Sequence, residues 1–344
     1  MWQDRITADE IIVSWEANPV SFQFESMFPY KRIKGLKFSF IKGAHGTPVA
    51  LVSAGFNTNV LYRDRIGFEE LTGSMPFFKE AYNIDEETRQ ELNSVKEEYT
   101  DILLSRIFDD TDNLLTSAEV TAERMRAQLV GTGTISIVEN GVDKQYDYGF
   151  DTSKQYKDLT ATGYWSKEGV KPLASLQEQI EAYYTKNNEY PTNMILSQKV
   201  FNLLRKDSEV LAYFKSLLNP ILWPNATQIQ NYVESLFDIK LTITTQKYIP
   251  ARKSSGNETP FYPEDRITLT STINLGNTLY GTTPEESDLM SGKTQADSCN
   301  TTVKGVAVTT WTTVDPVNVS VKVSEICLPT CPNIDKLYIV KVLA

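Results

Sequence analysis

Residues 92–130 read LNSVKEEYTDILLSRIFDDTDNLLTSAEVTAERMRAQLV, and this stretch decides the fold because its apolar residues repeat at helical spacing. Apolar side chains three or four positions apart lie along one face of an α-helix. The cluster Asp109-Asp110-Thr111-Asp112 interrupts the repeat, either as a new N-cap or as a solvated turn of one long, bent helix. A continuous helix from Lys96 to Val130 would be about 50 Å long. The two sets that share a face are Leu92, Val95, Tyr99 and Ile102, and Leu115, Ala118, Ala122, Met125 and Leu129.

A β-hairpin is predicted directly after this helix. Gly131 and Gly133 are expected to end the helix, and Ile135 and Ile137 then share one face of a strand. Asn140-Gly141 is the preferred pair for a two-residue type I′ turn. The return strand alternates as Tyr146, Tyr148 and Phe150.

The remainder of the chain mixes both periodicities, which indicates an α+β fold. In residues 317–323 valines alternate strictly with other residues, and residues 337–341 repeat that period after two prolines. A closing antiparallel pair is the simplest interpretation of these two segments. Before them, a compact mixed domain is predicted from helices at 173–184, 197–213 and 226–237 and strands at 193–196, 239–245 and 266–270.

The N-terminal part of the chain has weak periodicity. Residues 1–40 are predicted to form an arm that ends in the basic and aromatic segment Lys31, Arg32, Lys34 and Lys37, which is either solvated or faces another subunit. Residues 41–82 contain short β-leaning runs broken by glycines around a polar tip, which indicates a two-stranded excursion with little core of its own.

Composition limits the classes of function that remain. The 344 residues carry a formal net charge of −10, whereas proteins that grip nucleic acid by its phosphates usually have a clustered basic excess. No apolar run approaches the length of a membrane span, and the first residues lack a secretory signal. This balance disfavours binding to nucleic acid through its phosphates, although many cytosolic proteins are equally acidic.

No segment carries a convincing catalytic or metal motif. His45 is the single histidine, which excludes two-histidine metal sites. Gly292-Lys293-Thr294 mimics the end of a phosphate-binding loop, but Ser287 stands where that motif requires glycine. Adjacent acidic pairs leave an acid-based hydrolase as a remote alternative, and we expect no catalytic, cofactor or metal site. The three cysteines are Cys299, Cys327 and Cys331. They could be unpaired thiols, contain one disulfide or bind zinc, and the sequence leaves these alternatives open.

The order of these segments, together with several short blocks, resembles the lambda-type major capsid protein E family, whose members have the Hong Kong 97 phage fold. The resemblance covers nearly the whole chain, and its most distinctive blocks are residues 261–266 (FYPEDR) and 279–286 (LYGTTPEE). The other matching blocks are residues 41–43, 48–50, 63–68, 75–80, 84–86, 89–92 and 122–126.

The resemblance implies a domain map. Residues 1–40 would be the N-terminal arm and 41–82 the extended β loop. The long spine helix would lie within 85–130. Residues 131–164 and 306–344 would form the peripheral β domain, and 165–305 the axial α/β domain. In this arrangement the loop is expected to contact an adjacent subunit through Asn57, Asn59, Arg63 and Arg65, and the spine core is expected at Leu115, Ala118, Ala122 and Met125.

The same resemblance implies a structural protein that assembles into the icosahedral capsid shell of a tailed bacteriophage. Its expected partner is itself, in pentamers and hexamers, with a separate scaffolding protein, a portal and a possible decoration protein. Packaged DNA would be enclosed without specific binding, and assembly would occur in the host bacterial cytoplasm. The chain has no scaffold-like leader, so a scaffold is either separate or removed earlier. The shell protein of a non-viral nanocompartment is the alternative.

Overall fold

The computed structural model describes residues 6–42, 69–94, 97–139, 141–217, 224–250 and 257–344. Their contacts divide the chain into two units, and each unit is built around its own β-sheet. Unit 1 consists of the described residues within 1–39, 72–126 and 276–330, and unit 2 of those within 40–71, 127–275 and 331–344.

Helices and strands alternate along both units. The helices are α1 (Ala8–Ala17), α2 (Glu86–Ser94), α3 (Glu97–Thr132), α4 (Thr152–Gln155), α5 (Thr160–Gly163), α6 (Pro172–Asn187), α7 (Gln198–Leu204), α8 (Ser208–Leu217), α9 (Ala226–Phe237) and α10 (Pro284–Met290). The strands are β1 (Tyr30–Arg32), β2 (Lys37–Lys42), β3 (Glu69–Ser74), β4 (Phe77–Ile84), β5 (Thr134–Glu139), β6 (Val142–Asp147), β7 (Tyr156–Asp158), β8 (Asn193–Ser197), β9 (Lys240–Thr244), β10 (Lys247–Tyr248), β11 (Thr259–Pro260), β12 (Arg266–Thr270), β13 (Asn277–Tyr280), β14 (Ser298–Thr301), β15 (Ala307–Thr312), β16 (Val319–Thr330) and β17 (Leu337–Lys341).

The predicted long helix is α3, a continuous helix of 36 residues. The acidic cluster at 109–112 does not interrupt it, because Thr111 is fully buried and the Asp112 carboxylate accepts a hydrogen bond from Ser14 of α1. These tertiary contacts offset the weak helix propensity of the cluster. Ile102, a member of the first apolar set, is 55% exposed.

The C-terminal end of α3 is held by side chains from β12. Gly133 follows the helix with a φ of +77°, a conformation that glycine adopts without strain, and its N–H donates to the Leu129 carbonyl. The Arg266 guanidinium donates to the Gly131 carbonyl at 3.0 Å, and the Thr268 hydroxyl donates to the Val130 carbonyl at 2.9 Å. The last turn of α3 contains no basic residue of its own. The Arg266 cation therefore supplies the positive charge that complements the helix dipole at this end.

The sheet of unit 1 has the strand order β1-β13-β16-β15-β14, and β4 also pairs with β16. Strand β16 is 12 residues long, and it pairs with β15, β4 and β13 in antiparallel register. Buried side chains occur at consecutive positions of β16, so both faces of this strand are covered.

The described N-terminal residues pack within this unit. Ile11, Phe24 and Phe28 are almost completely buried, and β1 pairs in parallel with β13. Apolar side chains of residues 6–33 are therefore part of the unit 1 core, and the assignment of 1–40 as an N-terminal arm stays a prediction. Similarly, β4 pairs along its whole length with β16, so residues 77–82 belong to a sheet and not to an excursion.

The sheet of unit 2 has the strand order β7-β17-β12-β8-β9. The helices predicted from 173–184, 197–213 and 226–237 are confirmed as α6, the pair α7 and α8, and α9. Asn225 begins α9 with a capping box, in which its side chain accepts from the Gln228 N–H at 2.8 Å and the Gln228 side chain accepts from the Asn225 N–H. The apolar faces of helices α6 to α9 pack against the sheet in one core, which includes Trp165, Leu176 and Val340.

The predicted hairpin is also confirmed. Strands β5 and β6 pair in antiparallel register, with Ile135 opposite Tyr146. Ile135 and Ile137 are buried while Val138 is 67% exposed, as the imperfect alternation of the first strand predicts. Gly141 has a φ of +77°, which the predicted turn requires.

The predicted closing antiparallel pair is wrong. Strand β16 lies in the sheet of unit 1, whereas β17 pairs with β12 and β7 in unit 2. The predicted boundaries also cut through observed sheets. The boundary at 305/306 separates β14 from its partner β15, and the boundary at 164/165 separates β7 from the sheet that contains β12. The names peripheral and axial remain predictions.

Candidate functional site

Charged residues occupy the buried side of α3 within unit 1. Glu119, Glu123 and Arg126 follow one another at helical spacing, and each is at most 2% exposed. Buried ionised groups are costly unless they are paired and hydrogen-bonded, so their partners decide whether this part of the helix is stable.

Arg126 and Glu123 form a buried pair at 3.2 Å. The Arg126 guanidinium also donates to the Thr278 hydroxyl at 2.9 Å and to the Tyr280 hydroxyl at 3.5 Å. The second Glu123 oxygen accepts the Phe24 N–H at 2.7 Å. Burial raises the pKa of Glu123 despite these contacts. Burial opposes the charge of Arg126, but the surrounding Tyr280, Glu123 and Glu119 raise its pKa above the ordinary value. The pair ties α3 to β13 and to the N-terminal segment.

Lys304 supplies the second cation of this cluster. Its ammonium group lies 2.6 Å from a Glu25 carboxylate oxygen and 3.0 Å from a Glu119 oxygen. Burial works against the charged form, but the two carboxylates raise the pKa of Lys304. The turn before β15 is thereby joined to α3 and to the N-terminal segment.

Glu325 of β16 is the least compensated member of the cluster. Its side chain is buried, and among the described residues neither carboxylate oxygen has a nitrogen or oxygen hydrogen-bond donor, although the Cys327 thiol lies nearby. Burial and repulsion by Glu119 hold the pKa of Glu325 well above its usual range, although Arg126 and Lys304 oppose the shift. The folded subunit therefore favours the protonated form of this carboxyl group more than the unfolded chain does.

Glu325 gives the unassembled subunit a specific pH dependence. Because its folded pKa lies above the unfolded value of about 4.3, the folded state holds an extra proton above that pH. The free energy of unfolding should then fall as pH rises above about 4.3, by up to about 1.4 kcal/mol per pH unit from this residue, until the pH reaches the folded pKa. The Glu325→Gln variant should lack this contribution and retain that of Glu123. Parallel curves from urea unfolding of both proteins would contradict the assignment.

The two distinctive sequence blocks contact α3 in different units. In unit 2, the Tyr262 hydroxyl lies 2.8 Å from the Thr268 hydroxyl, and Pro263 packs so closely that a Cβ at Gly131 would lie 2.6 Å from its ring. In unit 1, Tyr280 contacts Arg126, and Thr283 caps α10 by accepting the Glu286 N–H at 3.2 Å. These blocks thus hold the C-terminal half of the long helix.

The predicted spine and loop residues fall in different parts of the chain. The four spine residues are buried, and none is more than 7% exposed. The four loop residues lie outside the described residues. The spine positions are Leu115, Ala118, Ala122 and Met125, and the loop positions are Asn57, Asn59, Arg63 and Arg65.

The cysteines, the segment that mimics a phosphate loop and His45 also fall in different parts of the chain. Cys327 and Cys331 are buried free thiols, and Cys299 is partly buried. Within the described residues, no group of three or more His, Cys, Asp or Glu side chains is placed to hold a metal ion. Gly292 follows the short helix α10 with a φ of +68°, so the segment that mimics a phosphate loop is the end of a helix. His45 lies outside the described residues.

The charged cluster was missed by the sequence analysis. Its signal was present, because Glu119, Glu123 and Arg126 repeat at helical spacing beside the apolar stripe. The same spacing occurs on exposed helix faces with salt bridges. Only the segments that cover α3 show that these charges are buried instead of exposed.

Two solved structures share the architecture over nearly the whole chain. A prophage capsid protein of Escherichia coli CFT073 is 16% identical, with 98% of this chain and 99% of that chain covered and a TM-score of 0.63. A phage-related protein of Bordetella bronchiseptica RB50 is 10% identical, with 98% and 97% covered and a TM-score of 0.56. A comparison with curated protein sequences found no match. The predicted fold class is confirmed: the protein has the α+β capsid fold of the Hong Kong 97 type.

The model of the family described as phage major capsid protein E matches residues 38–342. The match spans most of the chain, and the chain belongs to this family. The protein is a structural shell protein of a phage, as the sequence predicts. Each helix in the described part of the chain is too short or too polar to cross a membrane.

Proposed function

We propose that the chain closes an icosahedral shell through repeated heterologous contacts that produce pentamers and hexamers. In such a contact one surface of a subunit meets a different surface of the next, and rotation closes the ring. Individually modest contacts gain strength when each copy engages several others. Membership of the phage major capsid protein E family is the observation that supports this proposal.

Further partners are part of the same proposal. A separate scaffolding protein and a portal take part in assembly in the host cytoplasm, and a decoration protein is a further candidate. The shell contains the genome without specific binding, since a net charge of −10 disfavours adhesion to phosphate. The chain catalyses no reaction in this role.

Within the subunit, α3 acts as the spine, and the loop within 41–82 reaches an adjacent copy. The buried face at Leu115, Ala118, Ala122 and Met125 supports the first assignment. The second rests on the sequence, where Asn57, Asn59, Arg63 and Arg65 lie in a polar segment with few apolar residues. Arginines of this kind pair well with carboxylates of a neighbouring subunit.

Assembly of the purified chain tests the proposal. The protein, alone or with its scaffolding protein, should form rings or closed particles far heavier than the 38.9 kDa monomer. Electron microscopy and sedimentation velocity measure this directly. A monomer that persists at every concentration, even with the scaffolding protein present, would exclude shell assembly.

A further inference from the structure

An open cleft in unit 1 combines carboxylates with apolar surface. It lies between α1 and α3 and has a volume of about 550 Å³. Helix α1 is fixed against α3 by hydrogen bonds from Ser14 to Asp112 at 3.0 Å and from Trp15 to Thr116 at 3.2 Å. We call this the acidic cleft, and the residues that define it are Asp9, Glu10, Asp109 and Asp112, with Val13 and Phe108.

Among the described residues, the carboxylates of the acidic cleft have no cation of their own. None of the four forms an ion pair with a lysine or arginine among the described residues, and one oxygen of Asp112 is buried without a hydrogen-bond partner there. Burial and the neighbouring Asp109 raise the pKa of Asp112, although its hydrogen bond with Ser14 opposes the shift. Val13 adds an apolar side chain that is 68% exposed. The cleft therefore suits a segment that brings both positive charge and apolar surface.

The same unit exposes a segment with the opposite character, which we call the basic ridge. It runs from the edge strand β1 into β2, and its lysines are exposed and form no ion pair among the described residues. The remaining cation of this segment, Arg32, is already paired with Glu286. Two exposed apolar side chains accompany the lysines. The ridge consists of Lys31, Lys34 and Lys37, with Tyr30 and Leu36.

The ridge and the cleft are formed by different elements of unit 1. Strand β1 pairs with β13, where Arg32 is opposite Tyr280, and the Tyr280 hydroxyl contacts Arg126 of α3. The cleft, in contrast, is lined by α1 and by residues 105–112 of α3. Two complementary surfaces at different places on one chain are the arrangement that a heterologous contact requires.

We infer that the basic ridge of one subunit binds in the acidic cleft of a neighbouring copy, which is one of the repeated contacts of the shell. The inference rests on the proposed assembly and names surfaces for it. In a chain with a net charge of −10, this ridge is the dense basic segment available to neutralise the cleft of another copy. The apolar residues on both sides lose their exposure on binding, and the charges fix the register of the contact.

Charge reversal tests this contact in the full-length chain. Lys34→Glu with Lys37→Glu reverses the ridge, and Glu10→Lys with Asp109→Lys reverses the cleft at exposed positions. Each reversed protein should keep its circular dichroism spectrum and its melting transition. Its assembled fraction should fall by more than about tenfold, because like charges then face each other across the contact. The protein that carries all four substitutions has the wild-type net charge and should regain assembly.

The control is the pair Glu87→Lys and Glu91→Lys, which makes the same charge change at exposed positions of α2. It should assemble like the wild type. Either reversed protein assembling normally would overturn the inference, and so would a folded fourfold variant that fails to recover. A cleft reversal that only abolishes co-purification with the scaffolding protein would overturn it too, by assigning the cleft to that partner. Failure of the wild type to assemble would instead contradict the proposed function itself.

Discussion

Replacing Asn57–Arg65 with a short Gly-Ser linker should leave a folded subunit that no longer closes shells. The only apolar residues of this segment are Val60, Leu61 and Tyr62, so its loss removes little potential core. The flanking strands β2 and β3 pair with each other and remain in the variant. Circular dichroism and the cooperativity of melting should stay near the wild type, while electron microscopy should show monomers or loose rings.

A second variant separates the reach of the loop from its contacts. It replaces the same nine residues with nine Gly and Ser residues, so that the length is kept and Arg63 and Arg65 are lost. It should also fail to close shells, because the desolvated arginine contacts are missing. Normal particles from this variant would show that these side chains are not the intersubunit contact. Unfolding of either variant would place the segment in the core.

The Met125→Asp substitution should destabilise the subunit strongly. Met125 is 1% exposed on the buried face of α3, in the same turns as Glu123 and Arg126. A new carboxylate there is an uncompensated buried charge, for which a cost of about 3–5 kcal/mol is typical. This is a large share of the roughly 5–15 kcal/mol that stabilises a domain. Urea unfolding of the unassembled protein measures the loss.

Two controls isolate the effect of buried charge at Met125. Met125→Leu conserves the volume and should cost less than about 1.5 kcal/mol. Ser117→Asp places the same carboxylate on the exposed side of the same helix. It removes the hydrogen bond from the Ser117 hydroxyl to the Asn113 carbonyl. Apart from that loss, it should change the free energy of unfolding by only a few tenths of a kcal/mol. Equal stability of Met125→Asp and Ser117→Asp would show that the spine face is misassigned.

The charged cluster explains why the spine is sensitive to its neighbours. Arg126, Glu123 and Lys304 connect α3 to β13, to the N-terminal segment and to the turn before β15. Removing one member leaves a buried partner without its counter-charge, which costs more than the pair itself contributes. The cluster therefore specifies one arrangement of these segments around the helix.

Local patterns in the sequence predicted the elements whose stabilising contacts are close along the chain. The apolar repeat through Leu115 and Met125 predicted the long helix, and Asn140-Gly141 predicted the hairpin between β5 and β6. Helices α6 and α9 were predicted within a few residues from their amphipathic spacing. In each case the hydrogen bonds join residues a few positions apart, so the local sequence contains the necessary information.

The sequence by itself thus determined the class of fold, the long helix and, through blocks such as 261–266, the phage capsid family. Only the tertiary structure decided which strands pair: β16 and β17 have the same alternation but belong to different sheets. It also decided that residues 6–33 are part of a core and that Glu119, Glu123 and Arg126 are buried. The reason is that periodicity identifies the face of an element that is covered, whereas the covering segment comes from a distant part of the chain. Glu123 meets Phe24, and Arg126 meets Thr278, across separations that no local pattern encodes.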